Sequence, residues 1–395
     1  MEIVIGGTVR TAIGRMLGGL SPLRAPDLGA KVIAEAINRA AVPKDAVTEV
    51  IMGNVVSAGI GQNPARQASI ISGLDAEKTN AFTVNKVCGS GMKAVMLAAQ
   101  ALKCGDEYLV VAGGMESMSN GPYIIREARA GARLGNATLV DTMVYDGLWD
   151  YYNDFHMGIT GELVAEKYNI TRQEADEFGF WSHQKAHKAT IEGKFKNEIL
   201  PIEIPPKKKG KEPIIVDKDE GIRGDTSLEK MAKLKPAFKK DGVVTAGNAS
   251  QISDGAAAMV VATEKTAKEL GMKVEARILA YATNCIDPKW VMLAPLGAVR
   301  KLLKKLDVSI DWFDLIEINE PFATATIALA RDLEIPKERL NVHGGAVALG
   351  HPIGCTGARM IVTLVHALKT YGKKRGLAAL CLGGGGATAI ALELV

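Results

Sequence analysis

The chain lacks the features that mark a membrane protein, a disulfide-rich fold or a zinc site. It contains no run of about 18 uninterrupted apolar residues, so no membrane span is expected. No basic run followed by a long apolar run marks a secretory signal at its start. Its five cysteines are odd in number and no pair is spaced CxxC, which argues against a disulfide framework and a zinc site. These absences predict a reducing, cytoplasmic setting.

The chain also has little excess of one sign of charge, whereas glycine is abundant. A net charge of +4 over 395 residues does not favour nucleic acid as a partner, but it suits an anionic ligand on a local basic patch. The 42 glycines cluster in GMESMSNG, HGGAVALGHPIG and GGGG. Such clusters indicate tightly turned backbone near a functional site.

One pattern occurs twice, at an offset of 266 residues. Segment 41–54 reads AVPKDAVTEVIMGN and segment 307–320 reads DVSIDWFDLIEINE. The same offset pairs Gly91 of CGSG with Gly357 of GCTG, and each glycine opens a helical stretch that leads to an apolar strand. Two strand–helix–strand copies predict an α/β fold with buried, largely parallel strands covered by helices.

A long insert separates the two copies. We predict an N-terminal half from residues 1–118 plus 248–270, an inserted loop or lid domain over 119–247, and a C-terminal half over 271–395. Within the insert, Thr171 and Glu174 form a capping-box pattern before a helix. The basic segment PPKKKGK at 205–211 is interpreted as a solvated loop.

Two thiols and one imidazole are candidates for covalent acyl transfer. Cys88 precedes a helix, whose free N–H groups and dipole favour a thiolate, although a buried free cysteine is also often a small hydrophobe. His351 lies in a Gly/Pro turn from which it could take the thiol proton. Cys381 ends a strand before Gly383, whose N–H could hold an oxyanion. Asn319 ends another strand, where it could position a water or simply cap a turn.

Eight motifs, in chain order, resemble those of the thiolases, and within them those of the acetyl-CoA acetyltransferases. They are VNKVCGSGMKA, GGMESMS, MAKLKPAF, VTAGNAS, DGAAA, NEPFA, GGAVALGHPIG and CLGGG. The resemblance covers essentially the whole chain. It implies a duplicated, five-layered αβαβα core with an inserted loop domain.

The resemblance also implies a role for each candidate residue. Cys88 is the nucleophile, His351 activates it, and Cys381 exchanges the α-proton of the second acetyl-CoA. Asn319 holds a water that completes one oxyanion hole with His351, and the N–H groups of Cys88 and Gly383 form the other. The implied reaction condenses two acetyl-CoA to acetoacetyl-CoA and CoA, reversibly and by a ping-pong mechanism through an acyl-Cys88 thioester.

Coenzyme A and acetyl-CoA are thereby implied as substrates, with no tightly bound cofactor and no metal. Arg223 is implied to face the adenine nucleotide. The residues implied to contact the pantetheine arm are Leu148, His156, Met157, Phe238, Ala246, Ser250 and Phe322. The FHMG segment is typical of the short-chain group, and the insert resembles a tetramerising loop, so a homotetramer is expected.

Two departures from the family pattern concern the substrate pocket. Pro321 replaces the commoner alanine beside Asn319, and segment 290–296 reads WVMLAPL without the usual glycines, so the register of Met292 is open. The alternatives are a longer-chain 3-ketoacyl-CoA thiolase, a decarboxylating ketoacyl synthase, a Cys-His hydrolase, and a non-catalytic thiolase-like binding protein.

Overall fold

The computed structural model describes residues 1–206 and 212–395. Most of the PPKKKGK segment, which we interpreted as a solvated loop, therefore lies outside the described residues. The strands are β1 (Ile3–Thr11), β2 (Gly14–Arg15), β3 (Glu49–Gly53), β4 (Asn80–Val84), β5 (Leu109–Ser117), β6 (Tyr123–Ile124), β7 (Val140–Asp141), β8 (Trp149–Asp150), β9 (Phe155–His156), β10 (Ile199–Leu200), β11 (Ile202–Ile204), β12 (Ile214–Val216), β13 (Ser253–Thr263), β14 (Ala276–Cys285), β15 (Leu315–Ile318), β16 (Arg375–Leu382) and β17 (Gly386–Leu394). The helices are α1 (Ala25–Ala40), α2 (Pro64–Ile71), α3 (Ser90–Cys104), α4 (Thr142–Gly147), α5 (Gly158–Tyr168), α6 (Arg172–Ile191), α7 (Leu228–Ala232), α8 (Glu264–Glu269), α9 (Ala294–Leu306), α10 (Ala323–Asp332), α11 (Ala346–Leu349) and α12 (Ile353–Thr370).

The main sheet is mixed and runs in the order β15-β16-β17-β14-β1-β13-β5-β3-β4. Along this order the parallel pairs lie at the two flanks, at β3–β4, β3–β5 and β15–β16, and the short β10 pairs in parallel with β1 outside this order. The prediction of largely parallel strands is wrong for the middle of the sheet, where β13 and β17 run antiparallel to their neighbours. In the C-terminal half, β17 is antiparallel to β16 because the tight turn between them is too short to join parallel strands.

The predicted duplication is confirmed by the bounds of the elements. Helices α1 and α9 end 266 residues apart, and so do α3 and α12. Strands β3 and β15 begin at that offset, as do β5 and β16 and the short 3₁₀ turns Lys44–Ala46 and Ile310–Trp312. The two copies are therefore equivalent element by element, and they meet where β1 pairs with β14.

The layers follow from what each helix covers. Helices α1 and α2 pack on the sheet of the first half, α9 and α10 pack on that of the second, and α3 and α12 lie together between the two. This arrangement confirms the five-layered core. A Cβ built on Gly91 would lie 2.8 Å from the backbone nitrogen of Ala358, and one on Gly357 would lie 2.4 Å from that of Met92. Glycine is needed in both copies because the two helices approach each other through these positions.

The insert is tied to the core by buried charges. Arg10 on β1 is fully buried and pairs with Glu198 at 2.6 Å and with Asp219 at 2.6 Å, both from the insert. Thr171 caps α6 as predicted by accepting the N–H of Glu174. The reciprocal half of the predicted capping box does not form, because the carboxylate of Glu174 pairs with Arg331 instead. The domain bounds given above stay predictions. Within the described residues, no helix is both long and apolar enough to cross a membrane.

Candidate active site

Cys88 lies in the turn between β4 and α3, two residues before the helix begins. The preceding residue, Val87, has a φ of +46°, in the left-handed region that β-branched side chains avoid. The hydroxyl of Ser90 holds this turn, since it donates to the Val87 carbonyl at 2.6 Å and accepts the Lys86 N–H at 2.8 Å. Strained backbone of this kind is concentrated at functional sites, where the surrounding structure maintains it.

The Cys88 thiol is neutral in this setting. Burial raises its pKa to about 12, although the backbone N–H of Gly383 donates to the sulphur and opposes the shift. The helix N-terminus favours the thiolate, but desolvation outweighs that contribution here. Deprotonation of Cys88 requires a neighbouring base.

His351 fits the role of that base. It stands just before α12, and its Nδ1 lies 2.7 Å from the hydroxyl oxygen of Thr356. That hydroxyl donates its single proton to the Pro352 carbonyl at 3.0 Å, so its oxygen accepts a proton from Nδ1. Nε2 consequently carries the lone pair, and it is buried without a hydrogen-bond partner. Burial, helped by the positive charge of Arg359, lowers the imidazole pKa to about 3, so the ring is neutral.

Cys88 and His351 border the same apolar wall. Cys88 packs against the cluster of Val55, Val56, Met118, Met143 and Ile353, which also contacts Leu148 and Ile252. His351 lines a cavity together with Met118, Leu148 and Ile252. The duplicated fold thus brings the two predicted turns to one place, as the repeat predicts.

The second thiol reaches the same place from the other half. Cys381 is buried near the end of β16, and Gly383, two residues later, supplies the N–H that meets Cys88. Burial raises the pKa of Cys381, and the nearby Cys88 raises it further. Its sulphur lies 3.7 Å from that of Met292, which places segment 290–296 beside the second thiol. A neutral thiol beside Cys88 can donate a proton, and its thiolate can remove one.

Asn319 follows β15 and is 2% exposed. Its backbone N–H donates to the carbonyl of Ala379 at 3.1 Å, on the strand that carries Cys381. Neither its amide nitrogen nor its amide oxygen has a partner. A buried amide without partners is costly, so its polar atoms are available to a water or a substrate oxygen. Simple capping of a turn does not account for this side chain.

A cavity of about 250 Å³ leads to His351. The predicted residues that line it are Leu148, His156, Met157, Phe238, Ser250 and Phe322. The His156 ring stacks on that of Phe238 with centroids 4.7 Å apart, which forms a flat wall. The substituted Pro321 accepts the N–H of Ser250 at 2.9 Å through its carbonyl, a contact that proline preserves.

Two predicted residues lie outside that cavity. Arg223 is exposed and lines a separate cavity of about 190 Å³ with Lys230 and His183. The backbone N–H of Arg223 donates to His183 at 3.2 Å, and burial lowers the pKa of that imidazole to about 4. Ala246 is exposed, and its carbonyl accepts from Arg223 at 3.5 Å, so it connects the arginine to the GNAS segment. Its contact with the pantetheine arm stays a prediction.

Reasoning from the sequence missed several residues that shape the site. Thr356 lies in the GCTG motif and Glu116 in the GGMESMS motif, but neither motif indicates a role for them. His183 belongs to no motif that we quoted, and only the fold places it beside Arg223. The strain at Val87 has no signal in the sequence, because a valine is not normally expected at positive φ.

Two neighbouring thiols, a neutral imidazole that lines a cavity and a buried, unpartnered amide define a site for acyl transfer through a cysteine. Comparison with known proteins agrees with this class. The family model "Thiolase, N-terminal domain" matches residues 3–265, and "Thiolase, C-terminal domain" matches residues 272–394. The chain therefore belongs to the thiolase family of acyltransferases.

Similar proteins match along the whole chain. The acetyl-CoA acetyltransferase of Pseudomonas aeruginosa is 50% identical over 391 residues, covering 99% of each chain. A probable acetyl-CoA acyltransferase of Staphylococcus epidermidis is 48% identical and covers 97% of this chain and 96% of that protein. The crystal structure of the Bacillus anthracis acetyl-CoA acetyltransferase has 42% identity and a TM-score of 0.97, covering 100% of this chain and 99% of the other.

Proposed function

We propose that the chain is an acetyl-CoA acetyltransferase, which interconverts two acetyl-CoA with acetoacetyl-CoA and CoA. The observation that carries the proposal is the unpartnered Nε2 of a neutral His351, which lines the cavity and borders the same apolar wall as Cys88. The names of the similar proteins support acetyl-CoA as the substrate.

In thiolysis, Nε2 of His351 takes the proton of Cys88, and the thiolate attacks the C3 carbonyl of acetoacetyl-CoA. The C2–C3 bond breaks, and its electron pair passes to the acetyl-CoA enolate, which takes a proton from Cys381. The acetyl group remains on Cys88 as a thioester. After the first acetyl-CoA leaves, the Cys381 thiolate takes the proton of CoA, and the CoA thiolate attacks this thioester. The second acetyl-CoA leaves, and Cys88 recovers its proton from His351. Condensation is the reverse sequence, with the Cys381 thiolate as the base.

The developing negative charge on oxygen needs donors that are already in place. The Gly383 N–H already points at the Cys88 sulphur, so it is placed to stabilise the oxyanion of a tetrahedral intermediate there. The Asn319 amide, directly or through a water, and His351 are assigned to the thioester oxygen of the enolate. In this assignment the pantetheine arm lies along His156 and Phe238, and the nucleotide lies near Arg223.

We further propose a cytoplasmic homotetramer. The described part of the insert carries exposed apolar side chains, among them Tyr123, Ile124, Leu134 and Leu139. Contact with further copies of the chain would remove this apolar surface from water. Light scattering on the purified protein tests the assembly, and a monomer would contradict it.

The first test of activity is loss of acetoacetyl-CoA in the presence of CoA. Cys88→Ala should abolish it, while Cys104→Ala should not, since Cys104 is exposed at the far end of the same helix. Higher kcat/KM on C6–C10 3-ketoacyl-CoAs would identify a longer-chain thiolase instead. Release of CO₂ from malonyl-CoA would identify a synthase, hydrolysis without CoA a hydrolase, and no turnover of any of these a binding protein.

A further inference from the structure

A buried carboxylate outside the catalytic set joins the two halves of the site. Glu116 lies on β5 and is fully buried. Its Oε1 accepts from the Asn54 amide at 2.7 Å and from the Val56 N–H at 3.2 Å. Its Oε2 accepts from the Val55 N–H at 3.0 Å and from the Gly354 N–H at 2.9 Å. One side chain thus connects β5, the loop after β3 and the first turn of α12.

Both segments held by this carboxylate border the reacting groups. Val55 and Val56 belong to the apolar cluster against which Cys88 packs. Gly354 lies in the first turn of α12, three residues after His351. A Cβ built on Gly354 would lie 2.7 Å from Glu116 Oε2. The contact is therefore close enough that only glycine fits, and any displacement of the carboxylate must displace the start of α12.

Resting on the proposed function, we infer that Glu116 is a positioning residue that sets where His351 stands relative to Cys88. All four partners of Glu116 are N–H donors, which a carboxylate accepts with both oxygens. Glutamine has nearly the same shape, but its NH₂ group would face N–H donors instead of accepting from them. The substitution Glu116→Gln therefore leaves some of these N–H donors without an acceptor, while the volume of the side chain stays the same.

A matched control is a carboxylate that contacts the other end of α12. Glu275 accepts from Lys369 at 2.5 Å and from the Thr8 N–H at 2.7 Å. Lys369 lies near the C-terminal end of α12, about 22 Å from Gly354 at about 1.5 Å per residue. Glu275→Gln therefore perturbs an anchoring carboxylate of α12 without touching the site.

The test compares both variants with the unmodified protein by alkylation of Cys88 with iodoacetamide, followed by peptide mapping, and by kcat and KM for thiolysis. Exposed Cys104 is the internal standard for alkylation. For Glu116→Gln we expect Cys88 alkylation and kcat to fall by about 10- to 100-fold, because misplaced groups lose that order of rate. KM for CoA should stay within about two-fold, and Glu275→Gln should keep both rates.

Wild-type alkylation of Cys88 in Glu116→Gln, or an equal loss in Glu275→Gln, would overturn the inference. If Glu116→Gln does not fold, Glu116→Asp keeps the charge and shortens the reach, and unchanged alkylation and kcat in that variant would overturn the inference equally. An unmodified protein that is inactive on acetoacetyl-CoA would refute the proposed function, while the alkylation comparison would still decide the role of Glu116.

Discussion

The substitution Thr356→Val tests how the fold selects the catalytic tautomer of His351. Valine has nearly the shape of threonine but cannot accept the Nδ1 proton, which the hydroxyl now does at 2.7 Å. In the variant, the tautomer with the proton on Nδ1 carries a buried, unpartnered N–H. The imidazole can instead place its proton on Nε2, which faces the site and can then no longer accept from Cys88.

The expected magnitude follows from that unpartnered group. Leaving a buried donor without an acceptor costs about 1–3 kcal/mol. If all of this shifts the tautomer equilibrium, the population with a free Nε2 lone pair falls by about 5- to 150-fold, since about 1.4 kcal/mol is a factor of ten. We expect kcat/KM for acetoacetyl-CoA thiolysis and the rate of Cys88 alkylation to fall within that range.

Thr356→Ser is the control, because serine keeps the hydroxyl and should retain most of the activity. Thermal unfolding establishes that both variants are folded. Full activity in Thr356→Val, or an equal loss in Thr356→Ser, would refute the assignment of the Nδ1 proton to this hydroxyl.

Three further outcomes are expected. Burial lowers the pKa of His351 to about 3, so the imidazole binds a proton in the unfolded chain, but not in the folded one, as pH falls below about 6.5. This residue therefore lowers the free energy of unfolding by up to about 2 kcal/mol between pH 7 and pH 5. Urea midpoints that are unchanged between these pH values would argue against this. Met292→Ala should raise kcat/KM for a C6 3-ketoacyl-CoA relative to acetoacetyl-CoA, since its side chain fills space beside the second thiol; an unchanged ratio would place the acyl pocket elsewhere. Arg10→Met should destabilise the fold by about 3–5 kcal/mol, because Glu198 and Asp219 would remain buried without their partner; urea unfolding with an unchanged midpoint would contradict the buried pairing.

Much of the site was readable because each reactive residue stands in a long motif. The 266-residue repeat predicts that the turns of Cys88 and His351 meet, and the fold brings them to one apolar wall. The antiparallel placement of β13 and β17 was not readable, since an apolar strand looks the same whichever way its neighbour runs. Ala246 does not line the cavity that contains His351, because a motif places a residue near a site without stating which side chains point into it.

The amino-acid sequence by itself determined the duplication, the family and the identity of the reactive groups, since these depend on residue type and spacing. Only the tertiary structure decided their chemical states. Burial makes the Cys88 thiol neutral against the pull of the helix dipole, and the hydroxyl of Thr356 fixes the proton on His351. Desolvation and hydrogen-bond partners come from residues distant in the chain, so protonation is a property of the packed site and cannot be assigned from local pattern.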